Sequence, residues 1–271
     1  MSKPCDICLD EKCGGKRDCN CDTCKVKADC PRKLNATIRI TTKCTQTCSH
    51  CCFSCSPKES KMMSVETAKI ISDFNKNNNV ITANIMGGEI ICNPDWKEIL
   101  EYLIPSVKLA RIISNGDWSI TNPEFAEFLS KFDNCYVSIS KDVWHTNKNI
   151  ELAEELLKKF DVICNISDLN ETEENMMPVG RSMYNYGMYS MFGCYCSNEL
   201  KKYSFLIDES GDIYKCAFGI WDYADVKEYQ NGGFRDRFKE FNSKFYKIFI
   251  SNCKRCSSYY NQNKDKPENK R

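Results

Sequence analysis

Cys44, Cys48 and Cys51 stand in the run Cys-Thr-Gln-Thr-Cys-Ser-His-Cys, directly after the apolar, β-rich stretch 36–42. Three thiolates spaced CX3CX2C can hold three corners of a four-iron cluster and leave one iron open to a small molecule. A closed zinc site instead needs four protein ligands, usually two pairs split by a longer spacer. Cys48, Cys51, Cys52 and Cys55 do form two CX2C pairs, so a structural zinc in this loop is the competing reading. Those pairs abut, with no spacer to let four sulfurs wrap one ion.

A chain of 271 residues can bury one sizeable core with appendages. Lys and Arg number 38 against 37 Asp and Glu, a net charge of +1, so no overall field draws the chain to a polyanion or an anionic membrane. No apolar run reaches the ~18 residues of a membrane span, and the start, Met-Ser-Lys-Pro-Cys-Asp, lacks the apolar centre of a signal peptide. A cytoplasmic location is expected. Twenty cysteines there are read as metal ligands and free thiols, not as a disulfide framework. Seven lie in 5–30, five in 44–55 and five in 194–256; Cys92, Cys135 and Cys164 sit in apolar stretches and read as buried thiols.

Between the second and third groups, strand-like runs at 36–42, 80–86, 110–113, 135–140 and 162–166 alternate with helical runs at 64–76, 94–103, 123–132 and 149–160. Ser64 is the expected N-cap of the first helix. Such a βα succession gives a parallel sheet with right-handed crossovers, open or closed into a full or partial barrel, with its site at the C-terminal ends of the strands. Glu209-Ser210-Gly211-Asp212 between apolar runs signals a hairpin. The expected organisation is a Cys-rich appendage over 1–34, an α/β domain over 35–192, a small subdomain over 193–258 and a charged, disordered tail over 259–271.

Each strand is followed by polar groups. The three cysteines follow the first, Gly87, Gly88 and Glu89 the second, and Ser114, Asn115 and Gly116 the third, while the fourth ends in Ser138-Ile139-Ser140. Gly-Gly-Glu alone is an ordinary turn signal. One βα unit after an open iron site, its glycine carbonyls and carboxylate suit an ammonium, and serine hydroxyls suit a ribose. Together they fit an amino acid joined to a nucleoside.

In these motifs, over about residues 36–256, the chain resembles the radical SAM superfamily. The resemblance implies a partial (β/α) barrel in which Cys44, Cys48 and Cys51 hold a [4Fe-4S] cluster whose open iron binds S-adenosylmethionine. It implies that Gly87, Gly88 and Glu89 hold the methionine ammonium, that Ser138 and Ser140 meet the ribose, and that Asn115 and Arg181, in Met-Pro-Val-Gly-Arg-Ser, lie near the cofactor. Reductive cleavage then yields a 5′-deoxyadenosyl radical that takes hydrogen from the substrate, with electrons from a donor such as flavodoxin or ferredoxin. Many members place an aromatic residue before the third cysteine; this chain has His50, as does the branch with added C-terminal clusters. For His145, a role in the site and a solvated loop are both open.

The C-terminal cysteines resemble the twitch form of the SPASM extension. Cys196, Cys216, Cys253 and Cys256, in CX14GX4C and CX2C, imply one auxiliary [4Fe-4S] cluster, with Cys194 a rival first ligand and structural zinc the alternative occupant. Cys5, Cys8, Cys13, Cys19, Cys21, Cys24 and Cys30 match no family segment and suggest a metal-nucleated arm, holding zinc or a further cluster. The resemblance admits two substrate classes, a peptide or protein undergoing maturation and a small alcohol or sugar undergoing dehydrogenation, with the peptide favoured. From another class, a non-catalytic zinc-binding interaction module remains as an alternative. A nucleic-acid partner is not expected, because the arm's basic residues are matched by acids and lack interleaved aromatics.

Overall fold

The computed structural model describes residues 34–146, 149–168, 181, 204–214 and 222–229. Period-two burial builds its sheet. In β1 (Leu34–Arg39), Leu34, Ala36 and Ile38 are buried while Asn35, Thr37 and Arg39 are half-buried. β2 (Val80–Met86), β3 (Leu109–Ser114) and β4 (Cys135–Lys141) follow with the same sidedness, and β5 (Cys164–Asp168) ends the parallel run.

Helices fill the crossovers: α1 (Val65–Asn77), α2 (Trp96–Leu103), the short α3 (Trp118–Thr121) with α4 (Glu124–Leu129), and α5 (Ile150–Lys159). Ser64 caps α1 as expected, its hydroxyl accepting the Thr67 N–H at 3.1 Å. The expected helix 94–103 starts only at Trp96, because residues 90–92 first make a 3₁₀ turn and the Asn93 side chain accepts the Asp95 N–H. β5 starts two residues later than expected: Asp161 takes φ +57° and the Val162 N–H still bonds to Leu157 of the helix. The helices bury aromatic side chains against the apolar face of the sheet; Trp96 meets Phe125 and Phe128 edge-on, both at 5.1 Å, and Phe74 meets Phe205 at 6.0 Å.

Eight strands form one sheet in the order β5-β4-β3-β2-β1-β6-β7-β8. β6 (Ser204–Ile207) pairs parallel with β1, and β7 (Asp212–Tyr214) and β8 (Asp222–Asp225) return antiparallel. Among the described residues no pairing joins β5 to β8, so the sheet is mixed and open. The hairpin expected at 209–212 forms, with Gly211 at φ +95° and Asp208 accepting the Ser210 and Asp212 N–H groups. It extends the main sheet along β1. Arg39 Nε donates to Glu209 Oε2 at 2.8 Å, joining the two regions through a pair whose side chains are 12% and 2% exposed. Cys194, Cys196, Cys216, Cys253 and Cys256, the seven cysteines of 5–30, and the tail 259–271 lie outside the described residues.

The alternate sheet positions, Asn35, Thr37, Arg39, Thr82, Asn84, Met86, Arg111, Ile113, Tyr136, Ser138 and Ser140, make the second face. It is mostly polar. The helices pack on the other face, so this one is left to form the wall of a site.

Candidate active site

A cavity of about 170 Å³ lies at the C-terminal ends of β1 to β4. Its lining includes Cys44, Cys48, Cys51, Cys52 and Cys55 from the loop after β1, Met86, Gly87 and Gly88 from β2, Ile113, Ser114 and Asn115 from β3, Ser140 and His145 from β4 and its loop, and Arg181. Of the residues singled out in the sequence, Cys44, Cys48, Cys51, Gly87, Gly88, Asn115, Ser140 and Arg181 come together here.

The cysteine loop is held by backbone pairing. Cys44 N bonds to Ser56 O at 3.1 Å, and Cys51 N to Cys48 O at 3.2 Å. Arg181 closes it from a distant segment: its N–H donates to Cys51 O at 3.0 Å, its Nε to Cys48 O at 3.0 Å, and its Nη2 to Cys55 O. The guanidinium therefore adds a second donor to Cys48 O and ties it to Cys55 O, pinning the two ends of the turn together.

Gly88 passes so close to this loop that a Cβ there would stand 2.2 Å from Lys43 O and 2.7 Å from Cys44 Cβ. A Cβ at Gly87 would meet Thr41 Cγ2 at 2.8 Å. The glycines are thus fixed by the approach of two backbones, sealed by Gly88 N to Thr41 O at 2.8 Å and Glu89 N to Lys43 O at 2.9 Å. Glu89 is fully buried and does not line the cavity. Its Oε1 accepts from Ser114 Oγ and its Oε2 from Asn115 N, both at 2.8 Å. Burial pushes its pKa up to about 7 against those two donors. Ser138 is also buried, away from the cavity lining; its hydroxyl accepts from Arg111 Nη2 at 2.8 Å.

Burial pushes the Cys44 and Cys48 thiols up to about 12. The Cys55 thiol's hydrogen bond, with the Arg181 charge helping, holds Cys51 below the usual thiol range, and Cys55 itself is driven up. Two N–H donors face the Cys44 sulfur, Gln46 N at 3.5 Å and Asn115 Nδ2 at 3.8 Å. A cation bound to these thiols would oppose the burial penalty on the thiolates, and the N–H groups would stabilise the sulfur charge.

Sequence reasoning left His145 open and missed its surroundings. Asp142, whose side chain is wholly buried, accepts the Trp144 and His145 N–H groups at 2.9 Å and His145 Nδ1 at 2.8 Å. His50 Nε2 lies 3.7 Å from the same carboxylate. Burial pushes Asp142 up, but the hydrogen bond and charge of His145 and the charge of His50 hold it below the usual range. Gln46 was missed as well; its Oε1 accepts the Thr146 N–H at 2.9 Å, tying the cysteine loop to the one after β4. Only its place between Cys44 and Cys48 hinted at that.

No family model matches the chain. AlbA of Bacillus subtilis, a biosynthesis protein of the antilisterial bacteriocin subtilosin, is 34% identical over 113 residues, 41% of this chain and 25% of AlbA. YydG of the same organism, a putative peptide biosynthesis protein, is 30% identical over 113 residues, 40% of this chain and 35% of YydG. The match therefore spans well under half the length of either relative. Among solved structures, Streptococcus suis SuiB bound to its precursor peptide SuiA gives a TM-score of 0.54 at 15% identity, covering 75% of this chain and 66% of SuiB. BtrN in complex with AdoMet and 2-DOIA gives 0.54 at 14%, covering 78% and 86%, and anSMEcpe with bound AdoMet gives 0.51 at 15%, covering 77% and 80%.

At these identities the likeness is one of fold: the chain carries an α/β core that it shares with SuiB, BtrN and anSMEcpe. The residues present fit the four-iron centre expected from the motifs. Five unbridged thiols face one cavity, Cys44, Cys48 and Cys51 among them, N–H donors meet the Cys44 sulfur, and two glycines bring the end of β2 against the loop.

Proposed function

We propose that the chain is a radical SAM enzyme that modifies a peptide or protein. The observation that carries this is the meeting of Cys44, Cys48 and Cys51 with Gly87, Gly88, Asn115, Ser140 and Arg181 around one cavity at the strand ends. Cys44, Cys48 and Cys51 hold a [4Fe-4S] cluster with one iron free of protein. Reduced and with S-adenosylmethionine bound, such a centre supplies hydrogen-atom abstraction.

The chain's own residues set the stage for it. Gly87 and Gly88 offer backbone groups to the methionine ammonium without side chains in the way. Glu89 serves from behind, fixing the backbone of Asn115, while Asn115 in turn reaches the Cys44 sulfur and the Thr45 hydroxyl. Ser140 presents its hydroxyl to the ribose, and Ser138 stands one step deeper. Arg181 locks the carbonyls of Cys48, Cys51 and Cys55 so that the thiol spacing survives reduction. Apolar Met86, Ile113 and Phe53 keep water from the wall of the cavity.

A peptide substrate is favoured because AlbA is named for biosynthesis of a bacteriocin and YydG as a putative peptide biosynthesis protein. Cys196, Cys216, Cys253 and Cys256 hold an auxiliary cluster in this reading, and the seven N-terminal cysteines a further metal. A flavodoxin or ferredoxin supplies electrons in the reducing cytoplasm, which keeps the thiols free. Among the described residues no helix is long and apolar enough to cross a membrane.

The test is anaerobic purification with iron, sulfide and zinc analysis, followed by dithionite reduction with S-adenosylmethionine. Brown protein that releases 5′-deoxyadenosine and methionine is expected. Colourless protein with tetrathiolate zinc at 48–55 overturns the proposal.

A further inference from the structure

The three arginines of the described residues have different partners. Arg39 pairs with Glu209, and Arg181 is taken up by loop carbonyls. Arg111 donates to a neutral hydroxyl, Ser138 Oγ, at 2.8 Å, its Nε is buried without an acceptor, and it faces no carboxylate among the described residues. Arg111 is half-buried, and a buried donor left unmet destabilises a fold unless something else recovers the loss.

Its position says what that is. Arg111 lies on the polar face of the sheet, opposite Asn84 on β2 and Tyr136 on β4. Ile113, one step along the same face of β3, lines the cavity, as does Ser140, one step beyond Ser138 on β4. Arg111 therefore stands on the same wall one step deeper than Ile113, within the strand and below the cavity at its end. Arg39 on this face is matched by Glu209 and Asp208, whereas Arg111 has no ion pair among the described residues.

We propose that Arg111 is the receptor for a carboxylate of the substrate, taken up below the cavity and bound by the guanidinium fork. A planar fork matches a carboxylate through two parallel N–H···O bonds. A single unpaired cation with neutral neighbours balances a monoanion and leaves a phosphate dianion in charge excess. The carboxylate is an acidic side chain or a chain terminus. This rests on the reading of the cavity as the reaction chamber, but binding is measurable without turnover, so the two can fail separately.

The experiment uses the full chain purified anaerobically with its metals, saturated with S-adenosylmethionine. Three probes are titrated by saturation-transfer NMR: N-acetyl-glutamate N-methylamide, N-acetyl-alanine and N-acetyl-glutamine N-methylamide. One carboxylate probe should bind about tenfold or more tighter than the glutamine probe, and which one identifies side chain or terminus. Arg111→Gln should erase that preference while leaving the affinity for S-adenosylmethionine unchanged; Arg111→Lys should keep it in weakened form. Arg111→Met, by removing a half-buried charge whose Nε has no acceptor among the described residues, should raise the melting temperature by about a few degrees. Equal binding of all three probes, a preference that survives in Arg111→Gln, or a loss of S-adenosylmethionine affinity in that variant would overturn the assignment. Carboxylate preference in a protein that lacks an iron cluster would sustain the receptor and sink the enzyme reading.

Discussion

Arg181 donates from Nε to the carbonyl of Cys48 at 3.0 Å, across 133 residues of chain, and with its other bonds to Cys51 and Cys55 holds both ends of the cysteine loop. Lysine keeps the backbone bond to Cys51 but has no planar fork to reach the carbonyls of both Cys48 and Cys55. Arg181→Lys should therefore fold but retain iron poorly, losing about half or more of it during gel filtration; full retention would mean that the loop holds itself.

The cysteines divide by role. Cys44→Ala, Cys48→Ala and Cys51→Ala should each abolish cleavage of S-adenosylmethionine and most bound iron. Cys52→Ala should leave a brown, active protein. Loss of metal in Cys52→Ala and Cys55→Ala, with zinc in the parent, would instead support the paired CX2C arrangement.

Gly88→Ala forces a methyl group to within 2.2 Å of Lys43 O, where backbone must move. The expected cost is about 3 kcal/mol, read as a lower denaturation midpoint together with lost metal binding. Gly87→Ala meets the buried Thr41 methyl at 2.8 Å, which cannot turn without breaking the hydroxyl's bonds to Lys61 O and Lys43 N, and should cost about 1–3 kcal/mol.

Glu89 titrates at about 7 in the fold, above its ordinary 4.5, because it is buried. A raised carboxylate pKa means that the folded chain binds the proton more tightly, so its contribution is fully present below about 4.5 and is lost as pH rises through about 7. Urea unfolding of metal-free protein should show stability falling across that window by roughly 3 kcal/mol. Glu89→Gln should flatten the slope; an unchanged slope would refute the assignment.

Glu209→Ala leaves half-buried Arg39 with only the Asp208 carboxylate, 3.9 Å away, beside the Phe53 ring at 5.0 Å. Losing the nearer partner should cost about 1–3 kcal/mol. Hydrogen exchange should show β6 and β7 opening from β1 first.

Local signals carried much of this fold. Period-two runs placed β1 to β4 within a few residues, Ser64 marked the start of α1, and Gly211 marked the hairpin, because each rests on interactions within a few positions of chain. The turns around Pro94 and Asp161 shifted two boundaries, where side-chain and C-cap bonds overrode propensity.

By itself the sequence determined which residues follow each strand, and in a parallel sheet that is enough to gather Cys44, Gly88, Asn115 and Ser140 at one end. The tertiary structure decided which of them face the cavity. It turned Glu89 and Ser138 away, brought Arg181 and His145 in, joined β6 to β1 and left the Arg111 Nε without an acceptor among the described residues. Those outcomes depend on which backbones approach closely and which buried donors find acceptors, and both are set by contacts between segments tens to more than a hundred residues apart.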